Sequence, residues 1–328
     1  MVKVNILVSE NALFSTVFVP FDMLIQAGVF WNAIFSQQAT PYFDVSISSV
    51  DGKEITGLSG ARIKPHHTIT NDDQYDLVIV PSEGMNINSN SRSFQQRVDY
   101  LKRMHDKGAV VASVCTGAFL VAATGLLHNK IATTHWAMAQ EFTSLFPEVK
   151  LNTDLLIADN NEIVTAAGVS ADQDLSMHII TRFCGQEVAL QTARCTLVDL
   201  SIRDQTQFKT FVVEKNHSDQ EILKCQMYIE DHLDKEISVA LLSEKFAMGP
   251  RTLNRRFKQA TSHSVISYVQ QLKVEKAKYI LERESISFDE VAHSLGYENV
   301  SFFRRLFKKN VGLSPKEYRR AFYRNISN

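Results

Sequence analysis

Two stretches about 50 residues apart in the last third of the chain carry one pattern. Ile237-Ser238-Val239 opens the first and Ile286-Ser287-Phe288 the second. With one extra residue in the second turn, Arg255-Arg256-Phe257-Lys258 lies over Arg305-Leu306-Phe307-Lys308, and the copies close as Ser264 to Tyr268 and Ser314 to Tyr318. A solenoid needs three or more repeats to cover its ends, so two copies specify a pair of similar helical units. Apolar residues recur at helical spacing throughout this region, as at Ile222 and Ile229, Leu253 and Phe257, and Ile266, Val269 and Leu272. The second domain is therefore expected to be all helical.

Each copy reads as a short amphipathic helix, Val239 to Phe246 or Phe288 to Leu295, then a tight turn at Ala247-Met248-Gly249 or Gly296-Tyr297-Glu298, then a second helix. Pro250 stands in the first turn of that second helix, where a missing N–H costs nothing. Leu253 and Phe257, four apart, face inward and leave Arg251, Asn254, Arg255 and Lys258 outward. In the second copy Phe303 and Phe307 are the inward pair, and Ser301, Arg304, Arg305 and Lys308 the outward set. Arginine reaches guanine bidentately, asparagine reaches adenine and lysine holds phosphate, so both sets suit the major groove of double-stranded DNA. A helix from Val265 to Leu281 would run about 25 Å, a length commensurate with placing the two reading helices about one DNA turn apart.

The net charge of −1 hides an asymmetry. Up to Glu214 there are 15 Lys+Arg against 22 Asp+Glu, and from Lys215 onward 20 against 14, so a chain half of about −7 precedes one of about +6. The positive part is the one suited to a polyanion.

From residue 1 to about 185 short apolar runs alternate with helical stretches: Val4 to Val8 then Phe21 to Phe35, Phe43 to Val50, Leu77 to Val80 then Phe94 to Lys107, Val110 to Val114 then Gly117 to Leu126, and Ile163 to Ala166 then Ala171 to Phe183. The alternation predicts an α/β fold, a mostly parallel sheet sandwiched by helices. Gln186 to about Arg203 extends this as one more helix. The domains are expected at residues 1–213 and 219–328 with a linker at 214–218. Ala109 to Leu127 carries no charge and matches a bilayer span in length, but Ser113, Cys115, Thr116, Gly117, Thr124 and Gly125 make it a buried strand running into a buried helix. The start of the chain lacks a signal-peptide core. Cys115, Cys184, Cys195 and Cys225 form no Cys-x-x-Cys pair and have no histidine at zinc spacing, so neither metal nor disulfide framework is expected, and a reducing cytoplasm suits them.

Ile237 to Arg320 resembles the AraC/XylS-type DNA-binding domain, through Pro250 to Lys258, Gly296-Tyr297, Phe302 to Lys308 and Gly312-Leu313-Ser314-Pro315-Lys316-Glu317-Tyr318-Arg319. The resemblance implies base contacts from Arg251, Asn254, Arg255, Ser301, Arg304 and Arg305. Ala247 stands where the first turn usually carries glycine.

Val110 to Phe119 reads as strand, small-residue turn and helix with Cys115 at the bend, where a helix N-terminus can favour a thiolate or an anion. Asp76 to Pro81, Cys115-Thr116-Gly117 and Ala132 to Trp136 resemble the ThiJ/PfpI, class I glutamine amidotransferase-like fold of flavodoxin-like topology. Joined to an AraC-type domain, the arrangement is similar to GlxA-type regulators. The resemblance implies a small-molecule effector pocket around Cys115, Thr116, Gly117, His135, Glu83 and Gly84, and a homodimer through the first domain. Thr116 in place of histidine, Thr16 in place of a carboxylate, and Ser82-Glu83 in place of Gly-Gly point away from catalysis, since a nucleophilic cysteine needs a positioned base. The expectation is a DNA-binding transcriptional regulator with no cofactor, no metal and no membrane association. The alternative is a cysteine-dependent hydrolase or redox sensor fused to a DNA-binding domain.

Overall fold

The computed structural model describes residues 1–84, 91–200 and 204–323. They form two compact units, Met1–Gln205 and Thr206–Asn328. The first unit runs β1 (Val2–Leu7), α1 (Ser15–Gln26), α2 (Phe30–Ile34), β2 (Phe43–Ser49), β3 (Ile55–Thr56), β4 (Arg62–Ile63), β5 (His67–Thr68), β6 (Leu77–Val80), α3 (Arg92–Asp106), β7 (Val110–Val114), α4 (Gly117–Ala123), β8 (Ile131–Ala132), α5 (Ala139–Leu145), β9 (Lys150–Leu151), β10 (Ile157–Asp159), β11 (Ile163–Ala166) and α6 (Ala171–Thr196).

Seven of these strands form one sheet in the order β10-β11-β7-β6-β1-β2-β5, parallel except where β10 meets β11. All residues of β6 and β7 are buried, as strands covered on both faces must be. Their side chains alternate between two cores. Ile79, Ala112 and Val114 pack with Val17 and Leu24 of α1 and Leu175 and Ile179 of α6, while Val78, Val80 and Val111 pack with Leu101 of α3, Leu120 of α4 and Phe142 of α5. The chain leaves β1 toward β2 on one side and returns to β6 on the other. The carboxyl ends of β1 and β6 therefore flank the switch point at which open α/β sheets place ligands.

The second unit contains no strand among its described residues. It comprises α7 (Gln220–Asp231), α8 (Val239–Lys245), α9 (Pro250–Thr261), α10 (Val265–Arg283), α11 (Phe288–Ser294), α12 (Val300–Val311) and α13 (Pro315–Phe322). Each repeat has its own core, Leu242, Leu253, Phe257 and Tyr268 in the first and Val291, Phe303, Phe307 and Tyr318 in the second.

Several boundaries differ from the sequence reading. The helix expected over Phe21 to Phe35 is two, and the first begins at Ser15 with Pro20 inside it. Gly28 separates them at φ +74°, where a Cβ would come within 2.2 Å of the Thr40 carbonyl oxygen. The helix after Cys115 stops at Ala123 rather than Leu126. The last two helices of the first unit run together as α6, broken at Gly185, whose φ of 85° and ψ of 168° leave the helical region. α6 ends at Thr196 with Leu197 left-handed; the end expected near Arg203 falls at 201–203, outside the described residues, as do 324–328 of the second domain.

The division falls after Gln205 rather than after residue 213. Gln205 is buried in the first unit, its Nε2 donating to Thr133 Oγ1 at 3.1 Å and to the Thr134 carbonyl at 3.0 Å. Phe211 and Val213, expected at the end of the first domain, pack against the first helical core instead.

Candidate nucleic-acid interface and cysteine elbow

In the first copy the chain leaves α8 through Ala247 at φ 49° and enters α9 at Pro250. Leu253 and Phe257 are fully buried, so Arg251, Arg255 and Lys258 project into solvent. Asn254 is half-buried, and its Nδ2 donates to the Pro250 carbonyl at 3.2 Å. Arg256 lies outside the outward set. Its Nε and Nη2 donate to Asp219 at 2.8 and 2.6 Å, tying α9 to the residue that caps α7 and holding the Asp219 carboxyl below its usual range.

The second copy turns at Gly296, φ 72°, and caps α12 with Asn299, which accepts from the Phe302 N–H at 2.9 Å. Phe303 and Phe307 are fully buried. Ser301, Arg305 and Lys308 are exposed in the places of Arg251, Arg255 and Lys258. Arg304 is exposed but engaged. Its Nη2 donates to Asp289 Oδ1 at 2.8 Å, and its guanidinium lies 5.5 Å from the Phe288 ring centre. Phe302 is 40% exposed on the same helix, a feature the sequence reading passed over. The signal was there: two adjacent phenylalanines are about 100° apart on a helix and cannot both face the core.

α10 joins the copies and carries a brace between them. Lys273, 3% exposed, donates from Nζ to the Lys235 carbonyl at 2.7 Å and lies 4.9 Å from the Tyr297 ring centre. The Gly296 turn rests on the same segment, so that a Cβ there would come within 2.8 Å of the Asp234 oxygen and 2.9 Å of the Lys235 carbonyl carbon. Burial lowers the Lys273 pKa.

In the first unit β7 meets α4 at Cys115, whose φ of 54° is the strained bend expected of an elbow. Its N–H donates to the Ala166 carbonyl at 2.9 Å and its carbonyl accepts from Thr134 Oγ1 at 2.8 Å. Gly117 has to be glycine, because a Cβ would stand 2.5 Å from the Val80 oxygen and 2.7 Å from the Pro81 oxygen. Thr116 Oγ1 shares a hydrogen bond with Ser82 Oγ at 2.9 Å and accepts from the Glu83 N–H at 3.0 Å. Thr16 Oγ1 accepts from the Ser82 N–H at 3.0 Å and donates to the Leu13 carbonyl at 2.7 Å.

The helix terminus does not decide the Cys115 thiol. Burial raises its pKa, outweighing the Ser82 hydroxyl and the Thr116 N–H that favour a thiolate. His135 is half-buried, accepts on Nδ1 from the Ala137 N–H at 3.2 Å, and has its pKa lowered by burial. Glu83 forms a bidentate pair with Arg97 of α3, both nearly buried, and burial brings the Arg97 pKa down to about 10. This pair borders a cavity of about 280 Å³ with Ser9, Glu10, Asn11, Ser91 and Ser93 at the switch point. Cys115, Thr116, Gly117 and His135 are not among the described residues that line it, and Gly84 beside it has φ +73°. Among the described residues no group of His, Cys, Asp and Glu is placed to hold a metal, and no helix is long and apolar enough to cross a membrane.

The DJ-1/PfpI family model matches residues 2–182. The chain belongs to the DJ-1/PfpI family. A model described as a helix-turn-helix domain matches residues 242–321. The HTH-type transcriptional regulator GbdR of Pseudomonas aeruginosa is 24% identical over 274 residues, which cover 83% of this chain and 74% of that protein. GlxA of Rhizobium meliloti, another HTH-type transcriptional regulator, is 22% identical over 223 residues, covering 67% of this chain and 68% of its own. A crystal structure of a putative transcriptional regulator from Vibrio parahaemolyticus shares the fold at a TM-score of 0.52 and 20% identity, over 59% of this chain and 98% of that one. The chain is thus a DNA-binding regulator that joins a DJ-1/PfpI domain to an AraC-type helix-turn-helix region.

Proposed function

We propose that this DJ-1/PfpI-family regulator reads DNA through α9 and α12 and that its first unit holds a small effector without turning it over. The carrying observation is the matched display on two separate cores: Arg251, Arg255 and Lys258 on one helix, Ser301, Arg305 and Lys308 on the other, each above a buried pair. The arginines and Ser301 read bases, with Asn254 and Arg304 at the edges, and the lysines hold phosphate. The effector is small and polar or anionic and is held around Glu83, Gly84, Cys115, Thr116, Gly117 and His135, of which only Glu83 lines the cavity of about 280 Å³ at the switch point. A thiol with a raised pKa and a half-buried histidine with a lowered one favour binding over proton transfer. The protein acts as a cytoplasmic homodimer paired through the first unit.

The test has two arms. DNA enriched from a random pool by the full-length protein should show paired sites, and binding should fall with salt. Once an effector is found by its change of that binding, Cys115→Ala should leave the response nearly intact and Cys115→Trp should abolish it. Amide or ester hydrolysis by the purified protein, lost in Cys115→Ala, would replace the binding reading with an enzymatic one.

A further inference from the structure

We propose that Phe302 is a specificity-determining residue that reads a thymine methyl group beside the base contacted by Arg305; this rests on α12 being a recognition helix. Phe303 and Phe307 are fully buried in the second core, yet Phe302, next to Phe303 in the chain, leaves 40% of its surface in water. It sits in the first turn of α12, and the first turns of recognition helices are the parts that reach base edges. Its ring neighbours Tyr297, with ring centres 6.1 Å apart, and borders a groove with Ile266, Val269 and Gln270 of α10.

The flanking groups fix the chemistry of what meets it. Arg305, three residues on, shares its exposed arc, and Lys309 lies nearly in line with Phe302 about two turns further along. An aromatic ring beside exposed cations is matched to a polyanion that also offers an apolar point, and in the major groove that point is the thymine C5-methyl, which phenylalanine contacts and no hydrogen bond can read. Arg304 projects from the other edge and is drawn toward Asp289 and Phe288. The reading edge of α12 thus shifts to Ser301, Phe302 and Arg305. The equivalent place in the first copy holds exposed Thr252, so the two helices read different steps although Arg255 and Arg305 match.

Uracil lacks only that methyl, which makes it the probe. The full-length protein would first be given a random DNA pool, and each thymine in the half-site assigned to α12 then replaced singly by uracil. One position should lose about fourfold in affinity, the worth of about one buried methyl group, while thymines in the other half-site show a different pattern. In Phe302→Ala that thymine and uracil should bind alike; in Phe302→Leu, which keeps an apolar contact, most of the ratio should survive. The proposal is overturned if every thymine there tolerates loss of its methyl, or if the ratio persists in Phe302→Ala. Enrichment of no sequence at all is a separate failure, that of α12 as a recognition helix.

Discussion

In the first helix-turn-helix copy the left-handed residue between the helices is Ala247, and in the second it is Gly296. Both turns need a positive φ, so both sites carry the same backbone demand. What separates them is the neighbour. Ala247 is exposed, whereas a Cβ at Gly296 would press on the Asp234–Lys235 backbone. The bend tolerates alanine at about 1 kcal/mol of strain, and glycine becomes obligatory only where a second strand of chain passes behind it. The same division runs through the copies: Arg256 is bound to Asp219 in one, while its counterpart Leu306 is half-buried against the core in the other.

The widest difference is expected from adding that Cβ. Gly296→Ala should destabilise the helical unit by about 2–4 kcal/mol, left-handed strain and overpacking together, seen as a lower denaturant midpoint. A loss below about 1 kcal/mol would mean the Asp234–Lys235 segment gives way and the two turns are equivalent after all. On DNA, Arg255→Ala and Arg305→Ala should each cost about 1–3 kcal/mol of specific binding, confined to their own half-site. Arg304→Ala, already held by Asp289, should cost less than about 1 kcal/mol. Gel shifts on operator and random DNA separate these, and equal losses for Arg304 and Arg305 would erase the distinction drawn within α12. Lys258→Ala should weaken all sequences alike and flatten the salt slope by about one.

Ala247→Gly should do little, a gain of at most about 1 kcal/mol as released strain is set against the added freedom of the unfolded chain. A marked loss in thermal unfolding would show that Ala247 packs in a way its exposure does not suggest. The smallest contrast is one of pH. α11 and α13 both begin with capping boxes, Ser287 with Glu290 and Ser314 with Glu317, whereas Leu241 and Ser267 occupy the same place in α8 and α10. Bonds from the serine hydroxyl and N–H hold both carboxyls below their usual range. A lowered folded pKa gives stability that is present above the unfolded value and disappears as pH falls through the folded one. Amides at the starts of α11 and α13 should therefore exchange relatively faster than those of α8 and α10 below about pH 4; parallel acid profiles would show that the boxes contribute nothing.

The repeat made the second unit readable because helix period, turn and basic face recur together, and the buried pairs Leu253/Phe257 and Phe303/Phe307 follow from spacing alone. The fully buried strands β6 and β7 were legible for a similar reason, as unbroken apolar runs. What spacing could not convey was partnership at a distance. Nothing local ties Glu83 to Arg97, or assigns Phe211 and Val213 to the helical core rather than to the first domain, since both facts depend on surfaces brought together only in the fold. The two-residue strands are too short to carry a period. At Cys115 the bend was legible but its electrostatics were not, because burial is a property of everything packed around the thiol.

The brace at Lys273 has a consequence for how a binding site can change over generations. With Lys235 and Tyr297 around that one ammonium and the Gly296 turn against the Asp234–Lys235 backbone, the two proposed reading helices would not swing independently to follow a target whose halves have moved apart. An operator can exchange letters one at a time, each at a limited loss, and remain in use. A single inserted base pair turns one half-site by about a tenth of a helical turn relative to the other and leaves a fixed ruler with only one end on its mark. With α9 and α12 reading DNA as proposed, letters of the site would be free to drift while the interval between its halves stayed constant.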